Sequence, residues 1–181
     1  MTSLFNNVID SAEKISLSDA HIKSICGCNV VLYDTLADYT DIDELLDKQE
    51  NEAFVLLYPI NSDTDGHYVG VLDYRRNGYI EIFDSYALGA LDEELTHIVD
   101  ASERANTPKL LTGLIANKYR VVLNPTKLQE YSTNINTCGR HVAMRCKFKK
   151  TCNIREYLNL INGSPTGPDE TVALATILYT L

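Results

Sequence analysis

No apolar run in the sequence approaches the ~18 residues needed to span a bilayer, and the amino terminus lacks a basic stretch followed by an apolar one. A protein that is neither secreted nor embedded in a membrane is expected. Low-complexity tracts and fixed-period repeats are also missing, which excludes solenoids and disordered arrays. The five cysteines are an odd number without framework spacing, and Cys26 and Cys28 stand one residue apart. That spacing suits neither a zinc knuckle nor a redox pair, so reduced structural thiols are expected, with no metal and no cofactor. Basic charge is scarce in the first half: residues 1–100 carry 5 basic and 20 acidic side chains, residues 101–181 carry 11 and 5. The basic excess clusters at Arg140, Arg145, Lys147, Lys149 and Lys150. These five do not share one helical face, and the acidic half would repel phosphate, so nucleic acid is not supported as a partner. Solvated charges that complement the acidic half and a helix C-terminus are the expected role.

What is present is an ordinary globular composition, 45% hydrophobic and 23% charged. A chain of 181 residues is long enough for one self-sufficient core, and a single domain over 1–181 is expected. Residues 1–17 read as a short leading segment. Ser18 and Asp19 begin a helix whose Ile22 and Ile25 face inward and which Gly27 stops. Val30 to Tyr33 reads as a strand, and the acidic stretch Asp38 to Glu52 as an exposed helix with Ile42, Leu45 and Leu46 on its apolar stripe. Farther on, Leu88 to Ala105 has a helical stripe of Leu91, Leu95, Ile98 and Val99. Leu110 to Lys118 is ambiguous, Arg120 to Asn124 a short strand. A helix is expected from Cys138 to about Lys150, with Gly139 and Ala143 where close packing needs small side chains. A last helix carries Leu174, Ile177, Leu178 and Leu181, capped by Asp169.

Three strand-like runs, Ala53 to Ile60, His67 to Tyr74 and Tyr79 to Tyr86, form the centre of the chain. The first is almost wholly apolar, as a strand buried on both faces should be. The other two are joined through Arg75-Arg76-Asn77-Gly78, a strong hairpin signal. Alternation puts His67, Val69, Val71 and Asp73 on one face with Ile80, Ile82 and Asp84, and Tyr68, Gly70, Leu72 and Tyr74 on the other with Tyr79, Glu81, Phe83 and Ser85. A two-residue loop would set Asp84 against Val71, too far along the strand to reach His67. A four-residue loop sets it against Val69, diagonal to His67 and within side-chain reach, and this longer loop is predicted.

Cys138 stands where a polar, turn-prone stretch gives way to helical spacing. Unpaired amides and the positive dipole end of a helix start favour a thiolate there. A cysteine nucleophile also needs a base and an acceptor that orients the base. His67 and Asp84 supply both, and the helix that starts at Cys138 is expected to pack on the face they share. The backbone amide of Cys138 would be one oxyanion donor, and a side-chain amide upstream, Gln129 for preference, the other. His141 has no acidic residue near it in sequence and is read as lying behind the site or exposed. His21 and His97 are read as surface residues.

The order Gly66-His67-Tyr68-Val69, Phe83-Asp84-Ser85-Tyr86, Gln129 and Thr137-Cys138-Gly139 resembles the adenovirus maturation protease and its adenain-like relatives in large DNA viruses, virophages and Polinton-type elements. The SUMO proteases are distant cousins. Ile25-Cys26-Gly27-Cys28 and Leu160-Ile161-Asn162-Gly163-Ser164-Pro165 are similar to segments at matching places in that family, and Cys-Gly-Arg-His-Val looks most like the virophage and Polinton branch. The resemblance implies an α+β, papain-like fold, with a central, mostly antiparallel sheet flanked by helices and the catalytic Cys heading a buried helix. It implies a Cys138–His67–Asp84 triad with Gln129 at the oxyanion hole, where Asn134 or Asn136 are alternatives. Tyr68 would stand in for the tryptophan that usually follows the histidine, and Tyr68, Asn136 and Gly139 would border or back the substrate cleft. The activity implied is a cysteine endopeptidase that cleaves viral capsid precursors near glycine, in the virion and in the cytoplasm of the infected cell. A peptide activator fits the family, although no motif identifies one. A SUMO- or ubiquitin-like isopeptidase, and a capsid-associated binding protein on a decayed protease scaffold, are the other classes consistent with these residues.

Overall fold

The computed structural model describes the backbone of residues 2–62, 65–104, 106–177 and 179, and the side chains of 7–60, 66–104, 106–177 and 179. In chain order the elements are α1 (Thr2–Lys14), α2 (Asp19–Cys26), β1 (Asn29–Leu32), a 3-10 turn (Tyr33–Asp38), α3 (Ile42–Leu46), β2 (Ala53–Ser62), β3 (Asp65–Tyr74), β4 (Tyr79–Asp84), α4 (Leu95–Ile98), α5 (Leu110–Ile115), β5 (Arg120–Leu123), α6 (Cys138–Phe148), α7 (Ile154–Asn162) and α8 (Pro168–Ile177). The fold is α+β, a five-stranded sheet in the order β1-β2-β3-β4-β5 with helices on both faces. The expected mostly antiparallel sheet is instead mixed. β2–β3 and β3–β4 are antiparallel, whereas β1 and β5 join the edges in parallel.

The hairpin closes through the predicted four-residue loop. Tyr74 pairs with Tyr79 and Val69 with Asp84. One face of the sheet, with Phe54, Leu56, Val69, Val71, Ile80 and Ile82, packs on α3 and α5. The other, with Val55, Leu57, Tyr68, Leu72 and Phe83, packs on α2, α6 and α7. α6 therefore covers the face opposite to His67 and Asp84, against expectation. Alternation reveals which residues share a face but not which helix covers it. Two residues explain the choice. A Cβ at Gly70 would meet Val142 Cγ1 at 3.3 Å, so glycine is what lets α6 lie close on the central strand. From the same face Glu81 accepts Arg145 Nε at 2.6 Å and the guanidinium's second arm at 2.8 Å, a bidentate pair buried under the helix. Arg145, Arg140 and Lys149 are thus buried rather than solvated, and only Lys147 and Lys150 of that cluster are exposed.

Ser18 Oγ accepts the His21 amide at 3.3 Å and Gly27 ends α2 in the left-handed region, as the sequence suggested. Other expectations fail for local reasons. Residues 2–14, read from the sequence only as part of a short leading segment, form a helix that packs on α8. The acidic helix shrinks to Ile42–Leu46, yet its three apolar residues are all buried. The stretch after Leu88 is helical only over Leu95–Ile98, because Gly89 and Asp92 take positive φ and break the run. The side chain of Asp92 instead turns inward, accepting the Thr112 amide and hydroxyl at 2.8 and 2.6 Å. Ala105, Leu178 and Leu181 lie outside the described residues. α7 went unread, although Asn153 and Glu156 make a reciprocal capping box at its start. Asp169 does not cap α8. It sits inside that helix and faces α6.

Candidate active site

β3 begins and β4 ends at the same rim of the sheet, and α6 starts there from the opposite face. The helix thus reaches the His67 side around the sheet's end rather than across it. Asp84 closes β4, held at its backbone by Asn124, whose Oδ1 accepts the Asp84 amide at 2.8 Å and whose Nδ2 donates to the Asp84 carbonyl at 2.7 Å. The sequence marked Asn124 only as the end of a strand. The parallel pairing of Ile82 with Leu123 carries it beside Asp84. The Asp84 carboxylate accepts three bonds: His67 Nε2 at 2.7 Å and the Tyr86 amide at 2.9 Å on Oδ1, and the Leu88 amide at 2.8 Å on Oδ2. Burial works against its charge, but the hydrogen bond from His67 and the two amides hold it below the usual carboxylate range.

With Nε2 turned to Asp84, Nδ1 is the ring nitrogen left for the thiol. His67 is buried. Burial alone would favour neutral imidazole, yet the bonds to Asp84 and then to Cys138 outweigh it and raise the pKa to about 10. The thiol responds in the opposite sense. Burial opposes the Cys138 thiolate, while the hydrogen bond and charge of His67, then the Tyr68 and Gly139 amides, carry its pKa below the ordinary thiol value. The sulfur lies 4.0 Å from the Gly66 carbonyl oxygen. A Cβ at Gly66 would overlap the Tyr58 carbonyl, so the residue before the imidazole has to be glycine. Thr137, ahead of the helix, gives its hydroxyl to Asp169 and makes no side-chain cap, leaving the first amides of α6 free of that competitor.

The three amide side chains proposed upstream separate clearly. Gln129 is buried, with Oε1 accepting Ser85 Oγ at 2.8 Å and Nε2 donating to the Ile135 carbonyl at 3.3 Å. A carboxamide nitrogen has two hydrogens, so one donor remains. Asn136 is exposed and faces away, its Nδ2 on the Lys14 carbonyl at 2.8 Å and its backbone amide on the Glu13 carbonyl at 2.7 Å. Asn134 is exposed as well. Asn136 serves to pin the end of α1, and only Gln129 has the burial of a preorganised donor.

Tyr68 does not stack on the imidazole. It points to the α6 side, its hydroxyl 3.1 Å from Asp19 Oδ1 and its ring edge 3.3 Å from where a Gly139 Cβ would stand. Gly139 is accordingly a packing residue, shared with Leu17 and Ile22. The stacking partner is Tyr86, with ring centroids 4.8 Å apart at 18°. Tyr131 stacks in turn on Tyr86 at 4.4 Å, and Lys127 Nζ lies 4.4 Å from the Tyr131 centroid. Sequence reasoning missed this stack, which joins three distant segments. Tyr86, two residues past Asp84, was the available signal.

His141 is fully buried and does have an acidic partner, Asp169 Oδ1 at 3.0 Å from its Nε2. Asp169 also accepts the Thr137 hydroxyl and the Glu130 amide, the latter at 2.9 Å. One carboxylate from α8 thus ties together both ends of the loop that runs from Gln129 to Cys138. His21 and His97 are exposed as expected. Glu94, buried beside the pair, was not singled out. Burial and then the charge of Asp84 raise its pKa to about 7. Its carboxylate, Asp84 and His67 bring ligand atoms within 4.8 Å of one another. Three groups this close could share a cation, but Asp84 already accepts two amides and the imidazole, which suits an orienting acid better. Elsewhere, hydrogen bonds from Cys146 and Cys28 draw the Cys26 thiol down and leave the other two raised.

Among the described residues no helix is long and apolar enough to cross a membrane. No protein-family model matches the chain. A protein of Sputnik virophage described as uncharacterized protein V9 is 30% identical over 174 residues, spanning 91% of this chain and 96% of the virophage protein.

Proposed function

The chain belongs to the family of virophage protein V9, and we propose that it is a cysteine endopeptidase of the adenain-like, papain-fold type that cleaves viral capsid precursors near glycine during virion maturation. The observation that carries this reading is the buried His67, bonded to Asp84 at 2.7 Å and coupled to a Cys138 whose thiol is drawn down at the start of α6. In the proposed reaction the Cys138 thiolate attacks a peptide carbonyl carbon, and the oxyanion is held by the Cys138 amide and Gln129 Nε2. The C–N bond breaks as the His67 imidazolium gives its Nδ1 proton to the leaving amine. Water, deprotonated by His67, then hydrolyses the thioester and releases the acid and the thiol.

A cleft too narrow for side chains would explain a requirement for glycine near the scissile bond. The site of action would be the virion and the cytoplasm of the infected cell. A modifier isopeptidase would use the same groups, and a panel of SUMO- and ubiquitin-type C-termini run beside capsid peptides separates the two. The direct test is incubation with the capsid protein of the same genome and mass measurement of the products. Discrete fragments from the wild type and none from Cys138→Ala support the reading; equal fragments from both sink it.

A further inference from the structure

Beside the imidazole lies a cavity of about 230 Å³ lined by Ile60, His67, Tyr86, Leu88, Ile98 and Tyr131, with Glu94 and His97 as its charged or titratable members and Cys138 outside its wall. We infer that this cavity is a substrate subsite that takes one large apolar side chain from the leaving segment, the residues that follow the scissile bond. The inference rests on the protease reading above and gives it a specificity.

Three observations carry it. The first is position: His67 is itself part of the wall, whereas Cys138, Gln129 and Thr137 are not. In peptide cleavage the acyl part of the substrate becomes attached to the thiol, and the amine part is released by a proton from the imidazole. The segment on the amine side must therefore run past His67, and a cavity that borders the base but not the nucleophile faces that segment.

The second is size and chemistry. Whole small-molecule ligands occupy cavities of about 300–1,000 Å³, so 230 Å³ suits a single side chain rather than a complete ligand. Four of its walls are aliphatic or aromatic carbon from Ile60, Leu88, Ile98 and Tyr131. Ile60 and Tyr131 are 56% and 61% exposed, so the apolar rim of the cavity is open to a side chain arriving from outside. The third is rigidity. Tyr86 is held between His67 and Tyr131 by stacking on both faces, and its amide is fixed by Asp84, so that wall is ordered before any substrate arrives. A preformed apolar slot of this kind discriminates by size, and each methylene that fits contributes about tenfold or more.

The test has two arms. In the first, a peptide library with a fixed glycine and randomised flanking positions is digested, and the cleaved bonds are read by mass spectrometry. Leu, Met and Phe are expected to be enriched at one position after the scissile bond. Ile60→Trp, which fills the cavity from its exposed rim, is expected to lower cleavage of those peptides about tenfold or more relative to peptides with Gly at that position. The second arm needs no catalysis. Phenylalaninamide, a free amine bearing an apolar side chain, is titrated into Cys138→Ala while the His67 and His97 imidazole resonances are followed by NMR. Saturable shifts of both are expected, and Ile60→Trp should abolish them. Cleavage with no preference after the scissile bond, or no shift at either histidine, overturns the subsite. Phenylalaninamide binding without cleavage of any library member overturns the protease reading and with it the assignment to a leaving segment.

Discussion

Asp84 pairs across the hairpin with Val69, not with His67, and yet its Oδ1 lies 2.7 Å from His67 Nε2. The diagonal works because both side chains leave the same face at the sheet's rim and because Asn124 and two loop amides hold the carboxylate in place. If this contact sets the charge state of the imidazole, Asp84→Asn should leave a folded protein with an impaired base. Loss of about 10²-fold or more in kcat is expected, the usual size of a general acid–base contribution. The alkylation profile of Cys138 should shift to higher pH, which iodoacetamide rates measured against pH would reveal.

The pair also fixes a pH window. The His67 pKa of about 10 stands above its ordinary 6.5. Its contribution to stability is therefore fully present below pH 6.5 and is lost as pH rises through about 10. The Cys138 pKa is depressed, so its contribution is present above the ordinary thiol value and fades as pH falls through the folded one. Cys138→Ala removes the anion that supports the His67 cation. NMR titration should find the His67 midpoint lower in that variant than in the wild type.

Tyr86 separates stacking from hydroxyl chemistry. Its ring lies on the imidazole, and among the described residues no hydrogen bond from its hydroxyl reaches Cys138, His67 or Asp84. Tyr86→Phe should keep kcat within a small factor. Tyr86→Ala should release the imidazole and cost about 1 kcal/mol of stacking, read as a lower kcat and a lower unfolding midpoint.

Asp169 is expected to matter for both stability and the loop before Cys138. Asp169→Ala strips partners from His141, Thr137 and the Glu130 amide at once, all in the interior or at its edge. His141 and Thr137 are the two buried donors left orphaned, at about 1–3 kcal/mol each, so urea unfolding should show a loss of roughly 2 kcal/mol or more. Because the same loop carries Gln129, kcat should fall further than the residual folded fraction explains.

These residues also mark how far the sequence could be read. Pairing register and face parity follow from a four-residue loop and a period of two, so the His67–Asp84 contact was legible before any coordinates. Which helix covers which face was not, because that depends on Gly70 and on the Glu81–Arg145 pair acting across 64 residues of chain. The aromatic stack was hidden for a similar reason. Tyr68 was the neighbour in sequence, but adjacent strand residues point to opposite faces, and Tyr86 arrives from another strand's end. His141 and Asp169 meet across 28 residues, where no local pattern announces a pair. Asp169 instead had the look of a helix cap.

The central claim is that Cys138 is a thiolate made by His67. Timed labelling of the five cysteines with iodoacetamide near neutral pH, resolved by peptide mass, tests it most directly. Cys138 is expected to be modified well ahead of Cys28, Cys146 and Cys152, and His67→Ala should slow Cys138 alone, leaving Cys26, whose lowered thiol rests on Cys146 and Cys28, at its wild-type rate. Labelling of Cys138 at a rate no greater than that of Cys28, Cys146 and Cys152, or unaffected by His67→Ala, would contradict it.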